Sequence, residues 1–185
     1  VRPVSVGHGA YAAAGRVEDV ANERLAARTL LRRLLAEVVD ADAAAAPLAA
    51  DPRGRPFLAG REEVAISLSH SDGWVAAAAR PGGGAVGVDV QVSIPRGERL
   101  ARRCCRPATR IALTRLSPWR RALELAWIWS VQEACVKAQG TGIAGLPWTI
   151  PVQVEQRRGR WKSFSWVALW DELPVPWSCA VEVPA

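Results

Sequence analysis

Hydrophobic positions first recur at helical spacing over residues 18–39, EDVANERLAARTLLRRLLAEVV, where Val20, Leu25, Leu30, Leu31, Leu34, Leu35 and Val38 form a stripe and arginines fill much of the other face. The spacing predicts an amphipathic helix. Residues 41–60 carry alanines, Asp51, Pro52, Gly54 and Pro56, a loop composition. VAISLSHS (64–71) and WVAAAA (74–79) then read as two strands joined by the turn Asp72-Gly73. The small side chains of the second strand imply that something packs closely on it. VGVDVQV (86–92) alternates, with Val86, Val88, Val90 and Val92 on one face and Gly87, Asp89 and Gln91 on the other. A basic helix interrupted at Pro107 is predicted over 98–116, and a longer helix over 120–139, ending at Gly140. WKSFSWVALW and WSCAVEV read as a closing antiparallel hairpin. The order helix, hairpin, strand, helices, hairpin contains an echo, since Trp74 before small residues is mirrored by Trp177 before SCAVEV. We therefore expect two similar α/β lobes joined near residues 80–97, an N-terminal lobe over 1–85 and a C-terminal lobe over 86–185.

At 185 residues with a hydrophobic share of 50%, the chain has ample material for a buried core. A formal net charge of +6 points to an anionic partner: nucleic acid, an acidic protein or a phosphorylated small molecule. No unbroken apolar run approaches the roughly 18 residues of a membrane span, and no signal-peptide grammar opens the chain, so a cytoplasmic protein is expected. Of four cysteines, Cys104 and Cys105 are adjacent, Cys135 and Cys179 are isolated, and no C-x-x-C pair occurs. Buried reduced thiols are expected in preference to a metal site or disulfides. A count of zero methionines means that the start residue is absent, so a processed or trimmed chain is expected.

Lysine is nearly absent. Only Lys137 and Lys162 occur among 24 basic residues, and Lys137 lies one helical turn beyond Glu133 in an otherwise apolar helix. An exposed Glu–Lys pair at this spacing is worth a few tenths of a kcal/mol, whereas enclosure would make both groups costly without a task. Asp89 taken alone is a strand residue facing solvent. Two carboxylates from different elements with a lysine nearby suit a divalent metal that bridges a polyphosphate. His70, with Ser69 and Ser71 in SLSHS, fits a further phosphate contact.

RGRPFL (53–58), SLSHS (67–71), GVDVQ (87–91) and WSVQEACVKAQGTGI (129–143) together resemble, in order, the motifs of the surfactin-type 4'-phosphopantetheinyl transferases. The resemblance implies a pseudo-twofold pair of α/β lobes with antiparallel sheets. It also implies a monomer, with coenzyme A and Mg2+ held between the lobes, that transfers 4'-phosphopantetheine to a serine of an apo acyl or peptidyl carrier protein and releases adenosine 3',5'-bisphosphate. It places Asp89 and Glu133 as magnesium ligands, with Gln91 where the family often has a glutamate, and Lys137 at the phosphates. Gly54 and Arg55 would hold the nucleotide end, and Ser69, His70 and Arg24 the phosphates. Glu133 would take the serine proton, directly or through a metal-bound water, with Lys137 the other option for that base. Gln132 departs from a family lysine. Two other classes compete: a catalytically weak coenzyme A- or carrier-binding relative, and a nucleic-acid binder using the arginines of 18–39 and 96–121. No nucleic-acid motif appears, so no such partner is expected.

Overall fold

The computed structural model describes residues 2–93, 95, 97–169 and 173–184. Among these, two four-stranded antiparallel sheets account for most of the strand content. The first has the order β1 (Val4–Gly7), β2 (Ala10–Arg16), β6 (Trp74–Arg80) and β5 (Ala65–Ser71). The second has the order β7 (Val86–Val90), β10 (Trp177–Glu182), β9 (Phe164–Ala168) and β8 (Arg158–Trp161). Each sheet carries one long helix on its outer face. On the first sheet this is α1 (Glu23–Val38), whose Leu30, Leu31, Leu34 and Leu35 pack on Ala13, Ile66, Val75, Ala77 and Ala79. On the second it is α5 (Pro118–Gln139), whose Ile128, Val131, Cys135 and Ala138 pack with Phe164, Trp166, Ala168 and Ala180. The inner faces meet where Ala10, Ala12, Ala76 and Ala78 lie against Val86, Val88, Val90 and Cys179. This mixed α/β architecture is the paired, pseudo-twofold arrangement expected from the sequence.

The alanines of β6 now have a reason. Alternate residues contact α1 and the second sheet, and only small side chains let both layers approach. At the junction, serines of β5 meet the open edge of β7 and the residues just beyond it: Ser67 Oγ accepts Val88 N–H at 3.0 Å and Ser71 Oγ accepts Val92 N–H at 3.3 Å. The period-two serines of SLSHS therefore replace a backbone ladder between β5 and β7.

Several expectations need correction. The chain opens on the β1–β2 hairpin, before any helix; its alanine-rich second strand carries little strand signal. Residues 41–60 are not wholly loop: α2 (Ala41–Ala45) is capped by Asp40, and β3 (Leu48–Ala50) pairs with β4 (Pro56–Leu58). The first helix begins at Glu23, so Val20 lies in a preceding 3-10 turn, and Leu25 is 63% exposed, off the buried stripe. Strand β7 ends at Val90 and is buried on both faces, so Asp89 does not face solvent. The basic helix is interrupted at Pro107 as expected, giving α3 (Glu98–Cys104) and α4 (Pro107–Thr114). WKSFSWVALW holds a turn at Lys162-Ser163 joining the end of β8 to β9, and β9 pairs with β10. Trp170 at the end of that segment, and Arg96 of the basic stretch, lie outside the described residues. All four cysteines are buried free thiols. Among the described residues no helix is long and apolar enough to cross a membrane.

Candidate active site

Gly87 sets the distance between the elements that carry the chemistry. A Cβ there would stand 2.1 Å from the Ala134 carbonyl oxygen and 2.4 Å from the Ala138 nitrogen, so α5 lies directly on the β7 backbone. Two residues along β7, on the same face, Asp89 thus meets the helix positions Glu133 and Lys137. α5 itself starts on Ser117, whose hydroxyl accepts Arg120 N–H, with Pro118 at its first position. It stops at Gly140, in the left-handed conformation, whose N–H returns to the Lys137 and Val136 carbonyls.

The Lys137 ammonium serves three acceptors: Asp89 Oδ1 at 2.7 Å, Ser69 Oγ at 3.0 Å and the Val88 carbonyl at 3.2 Å. Ser69 in turn donates to the same Asp89 Oδ1 at 2.7 Å. Asp89 is 5% exposed, so this chain holds its carboxylate through one oxygen in a nearly dry setting. Asp89 Oδ2 and Glu133 Oε1 are buried and have no hydrogen-bond partner among the described residues. Burial raises the Glu133 carboxyl from the usual 4.5 to about 7; the Asp89 charge pushes the same way and Lys137 opposes both. Two buried carboxylate oxygens without donors, from different elements, are what a hard cation would satisfy. No three His, Cys, Asp or Glu side chains converge among the described residues, so a cation there would rest on this pair and on ligands brought with it. Gln91, the expected third ligand, lies just beyond β7 with its amide nitrogen donating to the Val92 carbonyl at 3.2 Å. No hydrogen bond among the described residues joins it to Asp89 or Glu133.

Two clefts open beside this cluster. One, of about 170 Å³, is lined by Arg53, Gly54, Arg55, Ser67, Lys137 and Gly140. The other, of about 330 Å³, is lined by Arg24, Arg28, Gly54, Leu68 and His70. They share the wall formed by Gly54, Pro56 and Leu68. Asp51 shapes that wall: its Oδ1 accepts the Arg53 and Arg55 N–H groups at 2.8 and 2.9 Å, folding the loop so that its arginines border the cleft. The fold thus gathers Gly54, Arg55, Lys137, His70 and Arg24 along one groove. Ser69, expected at the phosphates, is instead committed to Asp89 and Lys137. Its one proton is used, which leaves no donor for a phosphate.

Two residues that sequence reasoning did not single out build the site from behind: Asp51 and Glu23. Glu23 Oε2 lies 2.9 Å from His70 Nδ1, and its other oxygen accepts the Gly73 N–H. The sequence places Glu23 four residues before Ala27, at the head of the buried stripe of α1, but nothing in that spacing points to His70. Gln132, at the departure from the family pattern, is a packing link away from the cleft, donating to the Cys104 and Ile150 carbonyls at 2.8 Å each.

No curated protein matches the chain. A family model matches residues 85–180, the part carrying β7, α5 and the closing strands; its description is ACPS, 4'-phosphopantetheinyl transferase superfamily.

Proposed function

The chain belongs to the 4'-phosphopantetheinyl transferase superfamily, and from that membership we propose that it is a surfactin-type, Mg2+-dependent member acting on carrier proteins. It transfers the 4'-phosphopantetheine of coenzyme A to a serine hydroxyl of an apo acyl or peptidyl carrier protein, releasing adenosine 3',5'-bisphosphate. The observation that carries this reading is the pair of buried, donorless oxygens, Asp89 Oδ2 and Glu133 Oε1, beside a fixed ammonium and at the head of an arginine-lined groove.

In this reading Asp89 and Glu133 hold the magnesium ion, and Gln91, whose amide nitrogen donates to the Val92 carbonyl, has its amide oxygen left to coordinate the ion or a water bound to it. The ion, when bound, neutralises charge on the pyrophosphate of coenzyme A during transfer. Lys137 keeps its charge on the phosphate side, oriented by Asp89 and Ser69. An ammonium already donating to three acceptors is a poor proton acceptor, so in this reading the serine proton goes to Glu133, directly or through a metal-bound water. Arg55 and Gly54 hold the nucleotide end, and Arg24 and His70 border the phosphates. Residues 1–85 and 86–185 form the two lobes, a division supported by the separate membership of the two sheets. The protein acts as a cytoplasmic monomer. Its positive charge serves both an acidic carrier and a polyanionic nucleotide.

The test is to incubate the protein with coenzyme A, magnesium and an apo carrier and to measure adenosine 3',5'-bisphosphate, beside a carrier whose acceptor serine is alanine. Release with the native carrier alone is expected. Release that ignores the serine contradicts transfer, and coenzyme A binding without release assigns the chain to the binding relative.

A further inference from the structure

His70 does not stand free at the groove. Its ring is held at Nδ1 by Glu23, which is the first residue of α1 and is 8% exposed. The same carboxylate accepts the Gly73 N–H in the turn between β5 and β6, so it faces a donor on each oxygen. An ionised carboxylate can only accept, which puts the shared proton on Nδ1. The ring also lines the cavity bordered by Arg24, Arg28 and Gly54. With Nδ1 occupied by Glu23, Nε2 is the nitrogen left for that cavity. A ring already protonated at Nδ1 can donate from Nε2 as well only in the imidazolium form, with Glu23 paired at its other nitrogen. An acid in the first turn of a helix is favourable in any case, but that benefit requires neither burial nor a histidine partner.

We propose that Glu23 is a positioning residue for His70: it holds the proton on Nδ1 in the free protein and aims Nε2 at an anionic group in the Arg24 cavity, to which the ring donates as the imidazolium once that anion is bound. The anion is a phosphate of coenzyme A, so this functional consequence rests on the reading above. The geometry of Glu23 does not. Nor does Glu23 touch the ligand; it acts through the ring.

Glu23→Gln separates this role from clamping the turn. The glutamine oxygen can still accept the Gly73 N–H, while its amide NH2 donates to Nδ1 and forces the proton onto Nε2. The tautomer is read in the ligand-free protein from long-range 15N–1H correlations, with His70→Ala assigning the signal, since His8 is the other histidine. The native ring is expected to carry its proton on Nδ1 and the glutamine variant on Nε2. Coenzyme A affinity, by calorimetry, is expected to fall about fivefold in Glu23→Gln, the difference between a charge-assisted and a neutral donor. In a His70→Ala background the same change should have no effect. In turnover the loss should appear in KM for coenzyme A with kcat little changed. An unprotonated Nδ1 in the native protein, or an equal loss in both backgrounds, overturns the proposal. A native protein with the Nδ1 proton in place that fails to bind coenzyme A upholds the positioning of His70 and refutes the coenzyme A reading of the groove.

Discussion

Replacing Gly87 by alanine should injure catalysis far more than it injures the fold. The added methyl would sit 2.1 Å from the Ala134 carbonyl oxygen and 2.4 Å from the Ala138 nitrogen, where ordinary contact begins at 3.4 Å. Both opposing atoms are helix backbone, so no side chain can swing aside, and α5 must retreat from β7 by about 1 Å. Overpacking of this kind costs about 1–3 kcal/mol. In a chain of this size that lowers Tm by roughly 2–4 °C per kcal/mol. The same retreat draws Lys137 from Asp89, 2.7 Å away, and Glu133 with it. Misplacement of reacting groups by about 1 Å costs on the order of a hundredfold in rate. Urea denaturation followed by tryptophan fluorescence gives the stability change, and carrier modification under saturating coenzyme A gives kcat. A variant that stays folded at the assay temperature yet loses about a hundredfold in kcat agrees with the account. Unchanged stability with kcat within about twofold of native would refute the claim that Gly87 sets the spacing of the site.

Other substitutions probe the same frame. Lys137→Met strands the Asp89 carboxylate, whose side chain is 8% exposed, and should cost about 3 kcal/mol in urea titrations; a neutral result would show that the ion pair carries no structural weight. Glu133 has its folded-state pKa raised to about 7 from 4.5 by burial, so the folded chain binds more protons between those values. Its contribution to stability is full below about pH 4.5 and lost as pH rises through about 7. The native protein in chelator should therefore lose about 2 kcal/mol across that window relative to Glu133→Gln, after allowance for partial solvation of the carboxylate. Parallel pH curves for the two would contradict the burial argument. Gln132→Leu removes the donor to the Cys104 and Ile150 carbonyls and should destabilise by about 2 kcal/mol, seen as a lower urea midpoint with an unchanged slope; an unmoved midpoint would deny the link.

The parts legible in sequence are those where one face of one element decides the outcome. The α5 pattern gives its stop at Gly140 and the Glu133–Lys137 register, though it misses the Ser117 cap and starts two residues late, and the Val/Gly-Asp alternation identifies β7. What the alternation could not tell is that both faces of β7 are covered. Its valines meet the first sheet and its Gly87–Asp89 face meets α5, so a strand that reads as half-exposed is buried throughout. The N-terminal hairpin escaped because Ala12, Ala13 and Ala14 have no strand preference of their own and pair only because β6 offers a matching alanine surface. β3 and β4 are short and sit among prolines and glycines, which read as loop. Ser69 was legible as a site residue but not in its role, which depends on Asp89 and Lys137 arriving from 20 and 68 residues away. Glu23 was hidden for a similar reason, because an acid in a first turn is ordinary until His70, 47 residues on, takes its oxygen.

The most direct check is the intact mass of an apo carrier protein after incubation with the native chain, coenzyme A and magnesium, beside Glu133→Ala. The account requires a gain of one phosphopantetheine with the native chain and none with the variant at equal protein and time. A native chain that leaves the carrier mass unchanged, or a variant that modifies it as fast as the native, would contradict it.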